Sequence, residues 1–204
     1  MGYYYLDDSF QEYDLCLDHP DQLQKFDIMA DNLPKSLISE MTRLTSLKIN
    51  SDDTITESVL SRLNCLSFLK IHTTAGFGIL DICKLNLQVL ILEADDLGII
   101  DNNLHMISKI KSLTTLKLHN CTHVTRRGLC YLSKLVNLNL TKLFMKLNKC
   151  ITDEDLSVLT DKRVLKSLHI EHFKLLTELC LEYIKYIPKL KITFHKKSTF
   201  KYII

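Results

Sequence analysis

The sequence is poor in the residues and patterns from which many enzyme sites and membrane segments are built. It has five glycines, three prolines and no tryptophan among 204 residues. The phosphate-binding patterns GxGxxG and GxxxxGK[ST] do not occur, and neither do GxSxG, HExxH or DxDxDG. The apolar runs are short and interrupted by charge, which predicts no membrane-spanning helix. We therefore expect no enzyme activity, no catalytic residues, no cofactor and no small-molecule substrate.

Signals for export and for disulfide bonding are also weak. The opening segment MGYYYLDDSF has neither the basic nor the long apolar stretch of a secretory signal. The seven cysteines are odd in number and include no CxxC pair. This favours free thiols, most of them buried, over a disulfide framework. We therefore predict a reducing, cytoplasmic location.

Regularly spaced leucine is abundant instead. The spacing LxxLxL, with Ile or Phe at some positions, occurs as LQKFDI at 23–28, LTSLKI at 44–49, LSFLKI at 66–71, LQVLIL at 87–92, LTTLKL at 113–118, LVNLNL at 135–140, LKSLHI at 165–170 and IPKLKI at 187–192. The xLxL portion has the two-residue period of a half-buried strand. Eight such units predict eight short parallel strands, each followed by a return segment.

The return segments have a helical character. ITESVLSRL, VTRRGLCYLSKL and ITDEDLSVL follow three of the units, and Thr152 with Asp155 nearly fits a capping box. A strand with one helical return cannot bury its apolar face alone, so such units must stack. The sequence therefore predicts a solenoid.

This pattern resembles the leucine-rich repeat proteins over residues 23–192. The unit LTTLKLHNCTHVTRRGLCYLSKL is similar to the cysteine-containing subfamily, although no F-box is evident. The resemblance implies an α/β fold, a right-handed leucine-rich repeat solenoid of about eight repeats with a parallel concave sheet and short helical returns on the convex side. Residues 1–22 would form an N-terminal cap and residues 193–204 a C-terminal cap or tail.

The segment HNCTH at 119–123 has the residue types of a zinc site, but the repeat separates them. His119 should lie on the concave face, Cys121 in the buried ladder position and His123 in the return. A structural zinc site takes four converging ligands, and no second pair is present. We therefore predict no metal site.

The residues between the leucines should form the concave face. Neighbouring strands lie about 4.8 Å apart, within the Debye length of about 8 Å, so lysines aligned on them would form a positive stripe beside a small apolar centre. The predicted partner-binding residues are Lys48, Lys70, Lys117, His169, Lys191, Phe68, Val89, Ile91, His72 and His119. Two explanations are open: lysines that serve solubility, or a surface that recognises an acidic, partly apolar partner.

The favoured function is a non-enzymatic protein–protein interaction module. The alternatives are a substrate-recognition adaptor or a host-directed effector of an intracellular pathogen, which would act in the host cytosol, and, from another class, a cysteine-dependent enzyme. Nucleic acid is disfavoured because no arginine cluster or interleaved aromatics accompany the lysines. Residues 1–31 carry a net charge of −7 and residues 189–204 one of +5, which permits head-to-tail association but leaves the oligomeric state open.

Overall fold

The chain forms an α/β fold around one parallel sheet. The computed structural model describes residues 5–6, 20–28, 35–50, 60–73, 82–95, 98–136, 139–159 and 164–194. Its strands are β1 (Tyr5–Leu6), β2 (Lys25–Ile28), β3 (Ser46–Asn50), β4 (Phe68–Thr73), β5 (Val89–Ala94), β6 (Thr115–His119), β7 (Lys142–Asn148), β8 (Ser167–Phe173) and β9 (Lys189–Phe194). They are arranged in chain order, and the sheet is not closed into a barrel.

Alternation along the strands gives the sheet one packed face and one open face. Leu116 and Leu118 of β6 are buried while Lys117 between them is exposed. Successive strand side chains point to opposite sides of a sheet, so the leucines enter the core and the residues between them do not. The open face of β3–β9 consists of Ser46, Lys48, Asn50, Phe68, Lys70, His72, Val89, Ile91, Glu93, Thr115, Lys117, His119, Lys142, Phe144, Lys146, Ser167, His169, Glu171, Lys189, Lys191 and Thr193.

Short helices connect the strands. They are α1 (Lys35–Glu40), α2 (Asp101–Ile107), α3 (Arg126–Val136) and α4 (Cys180–Ile184), with 3₁₀ turns at Pro20–Gln22, Ile82–Lys84 and Glu154–Leu159. Buried helix residues such as Leu129 and Leu132 join the strand leucines in one hydrophobic core, and neighbouring returns contact each other. The helical return predicted after His123 is confirmed as α3. This architecture is compatible with a repeat solenoid.

The strand register agrees with the sequence pattern at every unit except the sixth. We predicted LVNLNL at 135–140 with Leu138 as its central residue, and this was wrong. Leu143 pairs with Leu116 on one side and Leu168 on the other, so the unit is LTKLFM at 140–145; Leu138 itself lies outside the described residues. The physical reason is that Leu135 is buried as a residue of α3, because it continues the helical spacing of Leu129 and Leu132.

Three later strands share a bend close to their carboxyl ends. Asn120, Leu147 and His172 adopt positive φ values of 62°, 60° and 56°, and each lies four positions after a central leucine. The following residues, Cys121, Asn148 and Phe173, are buried. Cys121 therefore occupies the buried ladder position predicted for it.

Only part of each predicted cap lies within the described residues. β1 pairs with β2 in parallel, and β9 extends to Phe194, past the predicted end of the repeats. The alternation of Tyr13, Leu15 and Leu17 predicts a capping strand, but these three residues and residues 195–204 lie outside the described residues, so both caps stay predictions. Among the described helices, none combines the length and the apolarity needed to cross a bilayer.

Candidate functional site

The strand register aligns one row of side chains across the middle of the open face. This central row contains, in strand order, Lys48, Lys70, Ile91, Lys117, Phe144, His169 and Lys191. Successive members belong to neighbouring strands, which lie about 4.8 Å apart. The row is therefore a continuous surface on which cationic, aliphatic and aromatic groups adjoin each other.

All ten predicted binding residues lie on the open face. The central row holds Lys48, Lys70, Ile91, Lys117, His169 and Lys191, the row at the start of the strands holds Phe68 and Val89, and the row at their end holds His72 and His119. Phe68 and Val89 are direct neighbours in the register. The structure thus brings the ten together on one surface, while their binding role stays a prediction.

Sequence reasoning missed the three open-face residues of β7. Lys142, Phe144 and Lys146 lie in the three rows of the open face. The wrong sixth unit predicted Asn139 in the central row and Thr141 in the row at the strand end. The signal was present in LTKLFM at 140–145, which repeats the LxxLxL spacing with Met145 as the last apolar residue. With Leu143 as the central residue of the sixth unit, the separations from Leu116 and to Leu168 are 27 and 25 residues. With Leu138 they would be 22 and 30, which is less even.

Glu93 holds two neighbouring cationic or titratable groups. Its Oε2 lies 2.9 Å from Nζ of Lys70, and its Oε1 lies 3.7 Å from Nε2 of His119. In the same row, His72 contacts the side chain of Asn50 and lies 3.4 Å from Asp95. Partly exposed ion pairs contribute little to stability, so their main effect here is to orient side chains.

Glu171 gathers a second set of groups near the other end of the sheet. Its Oε1 lies 2.7 Å from Nε2 of His169 and 3.7 Å from Nζ of Lys191, while its Oε2 lies 3.9 Å from Nζ of Lys146. The Nε2 atom of His169 is shielded from solvent. One carboxylate therefore lies close to side chains from three adjacent strands, and two of these side chains are lysines.

An aromatic cluster lies between these two carboxylates. The Phe144 ring centroid is 4.8 Å from that of His119 and 4.7 Å from that of His169, and the second pair meets edge to face at 74°. Such geometry is favourable for aromatic rings. Two imidazoles, one on each neighbouring strand, thus contact a half-buried phenyl ring of the central row.

The cluster lowers the pKa of both histidines. Burial lowers the pKa of His119 more than Glu93 raises it, and Lys146, Lys70 and Lys117 lower it further. Burial likewise lowers the pKa of His169, reinforced by Lys191 and Lys117 and opposed by Glu171. Both rings are consequently biased towards the neutral form.

Lys117 is exposed in the centre of the face. It lies between Ile91 and Phe144 in the central row. Within the part of the chain that the structure describes, no carboxylate lies within 4.0 Å of its ammonium group. The open face of β3–β9 as a whole carries seven lysines and two glutamates, a formal charge of +5 with neutral histidines.

The cysteines do not match one expectation. We predicted that most would be buried, but of the six described only Cys121 and Cys180 are, and Cys65, Cys130 and Cys150 are exposed. Exposed positions arise because Cys130 lies on the outer side of α3 and the other two lie in turns. Burial raises the pKa of Cys121 and of Cys180 to about 12, so both remain protonated thiols at neutral pH.

The HNCTH segment is divided as the repeat pattern predicted. His119 lies on the open face, Cys121 is in the core, and the exposed His123 forms a bridge with Ile100 in the return. Over the described ranges, no group of three or more His, Cys, Asp or Glu side chains is arranged to hold a metal ion. Of the five residues, His119 alone contributes to the aromatic cluster.

Comparison with known protein families gives no assignment, because no family model matches the sequence. The parallel sheet and the side chains of its open face are therefore the basis for any functional conclusion.

Proposed function

We propose that the chain is a leucine-rich repeat solenoid whose open face binds a partner protein through acidic and apolar side chains of that partner. Support for the repeat class comes from the recurring LxxLxL spacing and from strands that pair in chain order with helical or 3₁₀ returns. Parallel strands joined by such returns cross over in a right-handed sense almost without exception, which favours a right-handed solenoid.

The observation that carries the binding proposal is the composition of the open face. It has a formal charge of +5 in a protein whose total is +2, and it includes the half-buried apolar side chains of Phe68, Val89, Ile91 and Phe144. Aromatic and aliphatic groups surrounded by charge are typical of binding sites on proteins. Solubility alone would call for the lysines but not for these apolar side chains.

Two features favour a protein partner over nucleic acid. Glu93 and Glu171 lie within the face and would approach the phosphates of a strand laid along it. Nucleic-acid surfaces instead gather Lys and Arg without interspersed acids, and the open face has no arginine. A partner with separate acidic and apolar side chains fits the mixed pattern better.

The mechanism of recognition is presentation on a rigid surface. The side chains project from strands hydrogen-bonded to both neighbours across β3–β8, and Glu93 and Glu171 orient several of them. Little conformational entropy then remains to be lost when a partner binds. The proposed role needs no chemical step.

The test compares two charge-reversed variants that change the net charge equally. Lys117, Lys142 and Lys189 lie on the open face, and Lys109, Lys111 and Lys134 lie in or after helices α2 and α3. We expect wild type to capture a partner from lysate by cross-linking, the helix-side variant to retain it, and the open-face variant to lose it. The purified partner must reproduce this pattern in a binding titration.

Two results would contradict the proposal. Capture that survives open-face reversal would place the site elsewhere, and loss in both variants would indicate non-specific charge attraction. Thermal unfolding of all three proteins shows whether each variant is folded before binding is interpreted.

A further inference from the structure

We propose that Lys117, with Ile91 and Phe144 on either side, is a recognition subsite for an acidic peptide segment that places a single carboxylate between two apolar side chains. This inference rests on the proposed function, because it assigns a partner chemistry to part of the same face.

The lysines of the central row differ in whether a carboxylate lies beside them. Lys70 is held by Glu93 at 2.9 Å, and Lys191 lies 3.7 Å from Glu171. Lys117, between them, has no carboxylate within 4.0 Å among the described side chains. A partner carboxylate at Lys117 therefore does not have to displace an internal ion pair.

Lys117 has an apolar side chain on each side of it in the central row. Ile91 and Phe144 are the register neighbours of Lys117, each about one strand spacing of 4.8 Å away. A peptide whose apolar side chains cover both would exclude water from the carboxylate–lysine contact. Electrostatic attraction and charge-assisted hydrogen bonds strengthen as water is removed.

The aromatic side of this subsite is held in place by neighbouring rings. Phe144 is in ring contact with His119 and His169 at 4.8 and 4.7 Å. Its ring position is set before binding, so covering it costs little ordering entropy. Phe144 is therefore suited to receive an apolar side chain.

The flanking acids limit what else the subsite accepts. Glu93 lies on β5, next to the strand of Lys117, and Glu171 lies on β8, two strands away on the other side. Each would repel a run of carboxylates or phosphates that extended beyond Lys117. A single acidic residue flanked by apolar ones avoids both repulsions, so this pattern is favoured over a polyanion.

Lys117 also supplies a spectroscopic readout. Its charge is among the groups that lower the pKa of His119 and of His169. A carboxylate bound at Lys117 would offset that charge, so the pKa of both imidazoles should be higher with the bound acidic peptide than with the same peptide carrying Asn or Gln in place of the acid, because the two peptides bury the rings equally. A peptide bound elsewhere on the molecule would not produce this change.

The experiment begins with a phage-displayed library of random 12-residue peptides selected on the wild-type protein. We expect enriched peptides to contain Asp or Glu between apolar residues. Binding of the synthetic consensus peptide should weaken about tenfold in Lys117→Met, the size of one charge-assisted contact, and also weaken in Phe144→Ala. Lys111→Met, exposed after helix α2 on the helix side of the molecule, is the matched control and should bind as wild type does.

A pH titration of the imidazole resonances by NMR, with saturating consensus peptide and with its Asn or Gln analogue, completes the test. Higher pKa values for His119 and His169 with the acidic peptide than with the analogue support the inference, and equal values overturn it. Thermal unfolding of each variant confirms that it is folded.

The remaining outcomes separate this inference from the proposed function. Peptides that bind Lys117→Met normally but not the open-face triple variant overturn the subsite and leave open-face binding intact. Peptides that bind the open-face triple variant as they bind wild type count against the subsite and against the proposed open-face binding. The subsite is overturned if no peptide is enriched or if the enriched peptides are basic. It is also overturned if a 20-nucleotide oligothymidylate competes with the peptide and its binding depends on Lys117.

Discussion

Two parts of the sheet differ in the length of their units. The central residues Phe26, Leu47, Leu69 and Leu90 are separated by 21, 22 and 21 positions, whereas Leu90, Leu116, Leu143 and Leu168 are separated by 26, 27 and 25. We refer to them as the short-spacing part (β2–β5) and the long-spacing part (β5–β8). The long-spacing part contains the helices α2 and α3 and the bends at Asn120 and Leu147, whereas the bend at His172 belongs to the last unit, which spans 22 residues from Leu168 to Leu190.

The long-spacing part also contains buried and inter-strand polar contacts. The Asn148 amide donates to the carbonyl oxygens of Cys121 and Val124, at 2.6 and 2.8 Å, and accepts from the N–H groups of Cys150 and Ile151, at 2.8 and 2.7 Å. In the short-spacing part, the register neighbours Thr73 and Ala94 fill the corresponding end of the strand. The unit that contains Asn148 thus depends on side-chain hydrogen bonds as well as on leucine packing.

Two pairs of neighbouring returns between β5 and β9 are linked by the same Asp–Thr arrangement. Both carboxylate oxygens of Asp101 accept hydrogen bonds from Thr125, one from its N–H at 2.9 Å and one from its hydroxyl at 2.6 Å. Asp153 and Thr177 repeat this arrangement at 2.8 and 2.6 Å. In both pairs the aspartate belongs to one of the longer units, and its carboxylate connects that return to the next one along the chain.

The largest expected effect that tests this comparison is at Asn148. Asn148→Ala removes four hydrogen bonds and leaves buried backbone groups unpaired, so we expect the free energy of unfolding to fall by about 3–5 kcal/mol. Urea denaturation measures it. Asn139→Ala is the control, because this exposed side chain makes one bond, to the carbonyl of Lys111, and should cost about 1 kcal/mol or less. Equal losses in the two variants would show that the buried amide is not special.

A smaller effect is expected at Gly128 in α3. A Cβ there would contact Asp101 and lie 2.9 Å from both Leu104 and Val124, forcing α2 and α3 apart. Overpacking costs about 1–3 kcal/mol and outweighs the gain of about 1 kcal/mol in helix propensity, so Gly128→Ala should destabilise by about 1–2 kcal/mol in the same urea assay. Cys130→Ala, exposed in the same helix, should be nearly neutral. A stabilised Gly128→Ala protein would mean that the two returns are not tightly packed.

The smallest effect is the dependence of stability on pH. The folded pKa values of His119 and His169 lie below the ordinary 6.5, so the unfolded chain binds more protons in that range. Their stabilisation is therefore present above pH 6.5 and is lost as the pH falls below it towards the folded values. Urea midpoints at about pH 7.5 and about pH 5.5 measure the loss. His169→Gln should reduce this loss, and an unchanged loss in His169→Gln would contradict the burial of that imidazole.

Much of the strand arrangement could be predicted from spacing. Lys48, Lys70 and Lys117 alternate with apolar residues, and alternation alone places them on the open face. The ion pairs could not be predicted in this way, because Glu93 meets Lys70 and His119 from different strands. Such contacts depend on side-chain conformation as well as on register.

The sixth unit shows where local pattern fails. Leu129, Leu132 and Leu135 satisfy a helical period, while Leu135 and Leu140 also fit the LxxLxL spacing of a strand. Both readings bury leucine, so composition cannot choose between them. Pairing of Leu143 with Leu116 and Leu168 resolves the choice.

The sequence by itself determined the strand period, the parallel arrangement and the side of the sheet on which most lysines lie, because each follows from alternation and from the need to bury a recurring leucine. Tertiary structure alone decided the register of β7, and with it the position of Phe144 between His119 and His169 and beside Lys117. Hydrogen bonding and packing between strands more than twenty residues apart set that register, because the local spacing fits both LVNLNL at 135–140 and LTKLFM at 140–145 and cannot choose between them.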